Sequence, residues 1–160
     1  METHQLDHFL KQHPFFAGLP AEDLEFIAGC GKNVVFNPDD VVGQTGRPAD
    51  QFFILRAGRV AIEMFVPGRG LLTIQTLSEG DVFGWSWLIA PHVWKFDAHA
   101  ICKTRAIALD GRCLREKCER EPRLGYELMK RFAQVMTQRL MATRLQLLDL
   151  YGNEPVKKTE

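Results

Sequence analysis

The sequence has no surplus of charge. Twenty lysines and arginines are matched by twenty aspartates and glutamates, and the formal charge at pH 7 is zero. The broad positive field that drives nonspecific binding to nucleic acid or anionic membranes is therefore missing. Direct nucleic-acid binding is not expected. The segment Met1 to Phe9 carries Glu2, His4, Asp7 and His8 where a secretory signal would have a basic start leading into an apolar run. No apolar run approaches the roughly 18 residues of a membrane span, so no membrane contact is expected. The four cysteines, Cys30, Cys102, Cys113 and Cys118, form no Cys-x-x-Cys pair and are too sparse for a disulfide-stapled scaffold. A reducing cytoplasm is the expected location.

Catalytic and metal-binding patterns are missing as well. There is no Walker or Rossmann glycine loop, no His-Glu-x-x-His and no Gly-x-Ser-x-Gly elbow, and Ser86 has no triad context. No catalytic residue is nominated, and an enzyme is not expected. His4 and His8 stand at a helical spacing that suits a metal, but no third ligand or orienting carboxylate accompanies them, so no metal site is expected. Cys113 and Cys118 lie five apart on a helical stretch and point to different faces, so no disulfide joins them in this reading.

What is present is globular material. At 160 residues and 46% hydrophobic, the chain suits one domain or a domain with a helical appendage. The residue period changes from helical to strand-like and back to helical. Leu6, Phe9 and Leu10 sit at helical spacing, and Pro20 to Ile27 form a second helix whose start suits Pro20, Glu22 and Asp23. From Lys32 to Leu109, short β-favouring runs alternate with turn residues: Val34 to Phe36, Val41 to Gln44, Phe52 to Leu55, Val60 to Val66, Leu71 to Leu77 and Ala98 to Leu109. About eight strands at near-even spacing predict a jelly roll or sandwich, with Pro67 to Gly70 as an exposed hairpin tip.

After Asp110 a short helix extends to Cys118, and Pro122 opens a long one that Gly152 and Pro155 stop. Leu124, Leu128, Phe132, Val135, Met136 and Leu140 form one apolar stripe, which Met141, Leu145 and Leu148 continue onto a neighbouring face. About 29 residues at 1.5 Å each make a rod of roughly 44 Å, more than so small a domain covers by itself. The stripe is expected to form a homodimer interface. The domain boundaries are N-terminal helices over 1–30, a β-roll over 31–110, C-terminal helices over 111–151 and a tail over 152–160.

Two stretches in the middle zone carry a family likeness. Gly46-Arg47-Pro48-Ala49-Asp50-Gln51-Phe52-Phe53-Ile54-Leu55-Arg56-Ala57-Gly58-Arg59-Val60 and Ser78-Glu79-Gly80-Asp81-Val82-Phe83-Gly84 resemble the cyclic-nucleotide-binding domain superfamily. This family includes the sensor module of catabolite-activator-like regulators. The resemblance implies a mainly β fold, a double-stranded β-helix or jelly-roll β-roll, with short N-terminal helices and a long C-terminal helix. It also implies a regulatory sensor. Gly46, Gly58 and Gly80 fall where tight strand connections need positive φ or close backbone approach.

In the family, the segment after Phe-Gly is a phosphate-binding cassette, with a Glu for the ribose hydroxyl and an Arg about ten residues on for the phosphate. Here Trp85 follows Gly84, and Val93-Trp94-Lys95-Phe96 occupies the neighbourhood of the Arg. Charge-assisted hydrogen bonds contribute about 1.5–3 kcal/mol each, so losing both removes roughly 3–6 kcal/mol. That is about a hundred- to ten-thousand-fold in affinity. Trp85, Trp87, Trp94 and Phe96 either plug the pocket or line an altered one. Lys95, Asp97 and His99 alternate on one strand face, where they either hold an anion or sit in water. The candidate pocket is thus Gly84, Trp85, Ser86, Trp87, Lys95 and Asp97. No cofactor is expected. The leading expectation is a regulatory module with a degenerate cassette acting through dimerisation and protein contacts. The alternative is a true sensor of a cyclic nucleotide or other small organic anion. Regulators of this kind append a helix-turn-helix domain of about 50 or more residues, and only Gly152 to Glu160 follow the long helix here.

Overall fold

A computed structural model describes residues 2–152, with side chains from residue 5 onward. The chain divides into two compact units, one ending at Gly125 and one beginning at Tyr126. The first opens with α1 (Glu2–Gln12), a one-turn 3₁₀ helix (Pro14–Phe16) and α2 (Ala21–Gly29). Pro20 caps α2 and Glu22 and Asp23 lie in its first turn, where acidic groups complement the helix dipole.

Eight strands follow: β1 (Gly31–Phe36), β2 (Val41–Gly43), β3 (Gln51–Ala57), β4 (Val60–Val66), β5 (Gly70–Leu77), β6 (Val82–Phe83), β7 (Asp97–Ala100) and β8 (Thr104–Asp110). They form two antiparallel four-stranded sheets, ordered β1-β8-β3-β6 and β2-β7-β4-β5. This is the expected jelly-roll β-roll with flanking helices. Gly46, Gly58 and Gly80 all adopt positive φ. At Gly58 a second constraint operates, because a Cβ there would lie 2.7 Å from the Thr104 Cα.

One strand expectation is corrected. The run from Ala98 to Leu109 is two strands in different sheets, broken at Ile101 to Lys103. The Ile101 N–H turns to the Arg59 carbonyl, and the Thr104 hydroxyl donates to the Cys102 carbonyl. Neither glycine nor proline marks this break, so the apolar content runs through it unpunctuated.

Alternation along β3 and β8 sends side chains to two cores. Phe53 and Leu55, opposite Ala108 and Ala106, enter the space between the sheets. Phe52, on the other side of β3, packs its ring 5.5 Å from that of Phe15 in the N-terminal helical layer. Leu10, Phe16, Leu24 and Ile27 are buried in the same unit.

Asp110 caps α3 (Gly111–Arg120) by accepting from the Arg112 and Cys113 N–H groups. The α4 helix (Pro122–Gly152) runs continuously. Of the expected stripe, Leu124, Leu128 and Phe132 are buried within the single chain, Val135 and Met136 are half-buried, and Leu140 is exposed. Pro155 and residues 153–160 lie outside the described residues, as does the His4 side chain. Among the described residues there is no group of three or more metal-ligating side chains.

A second correction concerns the cysteines. Cys30 is bonded to Cys113 across 83 residues of sequence. Cysteine spacing carries no sign of this. The sheet creates it, because antiparallel pairing of Gly31 with Leu109 sets the residue before β1 beside the start of α3.

His13 joins the N-terminal segment to the roll. Its Nε2 donates to the Gly80 carbonyl at 2.8 Å and its Nδ1 accepts from the Phe15 N–H at 3.1 Å, which together require the neutral ring. Burial holds its pKa below the ordinary histidine value, outweighing the upward pull of the Gly80 carbonyl and the Asp81 charge. A depressed folded pKa means that the unfolded chain binds the proton more tightly. The stabilisation is complete above about pH 6.5 and is lost as pH falls through the folded pKa. Thermal melts of wild type should therefore show a falling Tm on acidification below about pH 6.5 that is smaller in His13→Gln, with NMR titration placing the His13 pKa below the ordinary histidine value of about 6.5.

Candidate functional site

The cassette follows β6. Gly84 has φ 87°, and a Cβ there would meet the Gln51 carbonyl at 2.8 Å, so only glycine fits without strain. The chain then makes a 3₁₀ turn (Trp85–Trp87), in which the Leu88 N–H returns to the Trp85 carbonyl. A cis Ala90–Pro91 peptide and His92, at φ 57°, lead back towards β7.

This return path is fixed by the β2–β3 loop. The Trp94 N–H donates to Arg47, the Gly46 N–H donates to Trp94, and the Ala49 N–H donates to His92. Pinned on both backbone groups, Trp94 directs its indole between the sheets and against β2. A Cβ at Gly43 would sit 2.5 Å from the indole ring. Phe53 and Phe83 stack at 5.0 Å, the Trp94 ring lies 6.4 and 6.3 Å from them, and Phe96 meets Trp94 edge-on at 5.5 Å. Trp94 is 5% exposed and Phe96 7%, and half-buried Trp85 packs on Phe96 at 5.4 Å. The small side chains of Ala98, Ala106 and Ala108 leave the volume that these rings occupy.

The six candidate residues therefore do not share one cavity. Trp87 is fully buried beside Phe52, on the helical side of β3, and its Cβ lies 2.7 Å from where a Gly111 Cβ would be. The Arg115 guanidinium donates to the Trp87 carbonyl and so braces the 3₁₀ turn with α3. Ser86 and Gly84 are buried. Lys95 is exposed in the bend before β7, between buried Trp94 and Phe96. Asp97, the first residue of β7, accepts from the Thr45 N–H at 2.7 Å, while His99, two residues on, pairs with Glu63. Of the expected strand alternation of Lys95, Asp97 and His99, only Asp97 and His99 lie on β7; Lys95 precedes the strand in a bend.

Two recesses lie near this region. One, of about 500 Å³, is lined by Val42, Pro48, Asp50, Phe53, Trp94 and Arg112 among others. The other, of about 310 Å³, lies on the outer face beside Val41, Glu63, Leu71, Asp97 and His99. Gly43 and Gly111 are the residues that sequence reasoning missed. A glycine inside a strand run is itself a signal of close approach, and Gly43 carried it.

A two-sheet roll with an N-terminal helical layer, a cassette after Phe83-Gly84 and a long C-terminal helix defines a class of regulatory binding domain. The family model for the cyclic nucleotide-binding domain matches residues 33–121, and the chain belongs to that family. A candidate cyclic nucleotide-binding protein of Geobacter metallireducens GS-15 is 30% identical with a TM-score of 0.76, over 84% of this chain and 97% of that one. A cyclic nucleotide-binding domain from Methylobacillus flagellatus KT shares the fold at 18% identity and a TM-score of 0.76, covering 92% of this chain and 83% of its own. So does the sensor domain of the transcriptional regulator DNR from Pseudomonas aeruginosa, at 18% identity and a TM-score of 0.71 over 88% and 95% of the two chains. No described helix is long and apolar enough to cross a membrane.

Trp94 and Gly43 are expected to behave as one packing unit. Trp94→Ala should cost about 3–5 kcal/mol and Gly43→Ala about 1–3 kcal/mol, read as lower urea midpoints. In the double variant the clash has no ring to meet, so its loss should fall short of the sum of the two.

Proposed function

We propose that this chain is a regulatory module of the cyclic nucleotide-binding family whose interior is filled by its own aromatic side chains. Its output passes through a second copy and through protein contacts. The observation that carries this reading is Trp94 lying flat against Gly43, with Phe53, Phe83 and Phe96 around it. A cyclic nucleotide needs that volume, and it needs partners for its ribose hydroxyl and phosphate. Trp85 stands in place of the first partner, and Lys95, near the place of the second in the sequence, is exposed and lines neither recess described above. Both facts favour the filled module over the anion-sensor reading, which relied on Lys95.

The proposed self-association surface is narrower than the sequence stripe. Leu124, Leu128 and Phe132 are buried in the single chain and are left out of it. Val135, Met136 and Leu140 remain, and the helix continues with Met141, Leu145, Leu147 and Leu148, each about half exposed or more. A row of exposed apolar residues on one helix gains by meeting its own copy.

Calorimetric titration of wild type with cyclic AMP and cyclic GMP is expected to give no micromolar response, and one abolished by Lys95→Ala would overturn the filled-module reading. Light scattering should return a dimer for wild type and a monomer for Leu140→Glu with Leu147→Glu. A monomeric wild type refutes the dimer.

A further inference from the structure

One face of α2 is fastened to the segment that opens the C-terminal helices at three successive points. Asp23, almost fully buried, takes an ion pair from Arg123 at 2.7 Å. One turn on, the Phe26 ring lies 4.8 Å beneath the Lys117 ammonium of α3. Just past the helix end, Cys30 is bonded to Cys113 in the first turn of α3. Positions 23, 26 and 30 are three and four residues apart, the spacing of one helix face. The first two ties are an ion pair with one partner half in water and a cation–π contact, each of modest strength. The third is covalent, and it is the only one of the three that chemistry can make and break.

From this arrangement we propose that Cys30 and Cys113 are a reversible thiol–disulfide switch, which takes a low-molecular-weight disulfide or dithiol as its reactant and latches α2 to α3. Three observations carry it. Both cysteines are half-buried rather than fully enclosed. Both are held in place by bonds that involve no sulfur. The Asp110 N–H donates to the Cys30 carbonyl at 2.9 Å, and the Asp110 carboxylate accepts from the Cys113 N–H at 3.2 Å. One residue thus positions both partners, and the reduced pair stays aligned for closure. Finally, Cys113 lies in the first turn of α3, the end at which a helix favours negative charge. Cys118, near the end of the same helix, is the contrast: burial and the neighbouring Glu119 push its thiol up.

The exchange is balanced. The Cys113 thiolate attacks one sulfur of a disulfide RSSR, forming Cys113–S–SR and releasing RS⁻. The Cys30 thiolate then attacks the Cys113 sulfur, closing the Cys30–Cys113 bond and releasing the second RS⁻. Two protein thiols are oxidised, one RSSR is reduced to two RSH, and the two protons pass to the leaving thiolates. A reduced dithiol reverses each step.

The test uses the full wild-type chain equilibrated in glutathione buffers of rising oxidised-to-reduced ratio, then acid-quenched, alkylated and mapped by peptide mass. The peptides containing Cys30 and Cys113 should lose both alkyl groups together across the series and regain them when reduced dithiothreitol is added to the native protein. Hydrogen exchange of the α3 amides should be faster in the reduced form, and Cys113→Ser should match that faster rate at every ratio. Cys30→Ser serves the same purpose if Cys113→Ser does not fold. A pair alkylated at every ratio overturns the switch, as does a bond that resists dithiothreitol until the chain is unfolded. Equal α3 exchange in the two forms overturns the latch.

Discussion

The arrangement turns on a single steric fit, an indole lying against a strand residue that has no side chain. Trp94 reaches the space between the sheets because its backbone is hydrogen-bonded to the β2–β3 loop on both sides, and it stays there because Gly43 leaves room. Phe53, Phe83 and Phe96 then close around it, the first two placed by strand alternation. Protein interiors tolerate few voids, so a ring of this size is either accommodated or expelled. Here the alanines of β7 and β8 accommodate it. The consequence is chemical as well as mechanical, since the space between the sheets around Trp94 is lined by aromatic and aliphatic side chains.

The large features of the fold were legible because they are written in local chemistry. Gly46, Gly58 and Gly80 mark strand connections, the helical period fixes α2 and α4, and Asp110 announces the start of α3. What escaped detection depends on distant partners. The break between β7 and β8 has no glycine or proline to punctuate it. The Cys30–Cys113 bond arises from the pairing of β1 with β8, which no count of cysteine spacings contains. The cassette was half legible. Its aromatic density was plain, but whether each ring faces the roll or the helical layer depends on the turn after Gly84, which sends Trp87 to one core while Trp94 enters the other.

The same division separates the two kinds of function open to such a domain. Residues facing inward, Trp94 and Phe96 above all, govern whether a small molecule enters. Residues facing outward, from Lys95 through Asp97 to His99 and along the far part of α4, govern what the surface offers to other molecules. In this chain the inward set around Trp94 is apolar, whereas the charged side chains lie at the surface.

The alanine-lined faces of β7 and β8 carry a consequence for how such a module diversifies. On β7 and β8 the walls of the interior are backbone and methyl groups, whereas the large side chains sit on the return loop and the facing strands. Shape inside the roll is thus uncoupled from strand register. A lineage can exchange one occupant for another, or for an empty chamber, by altering a few positions without redrawing the sheets. The scaffold works as a mould whose contents are changed more easily than its form.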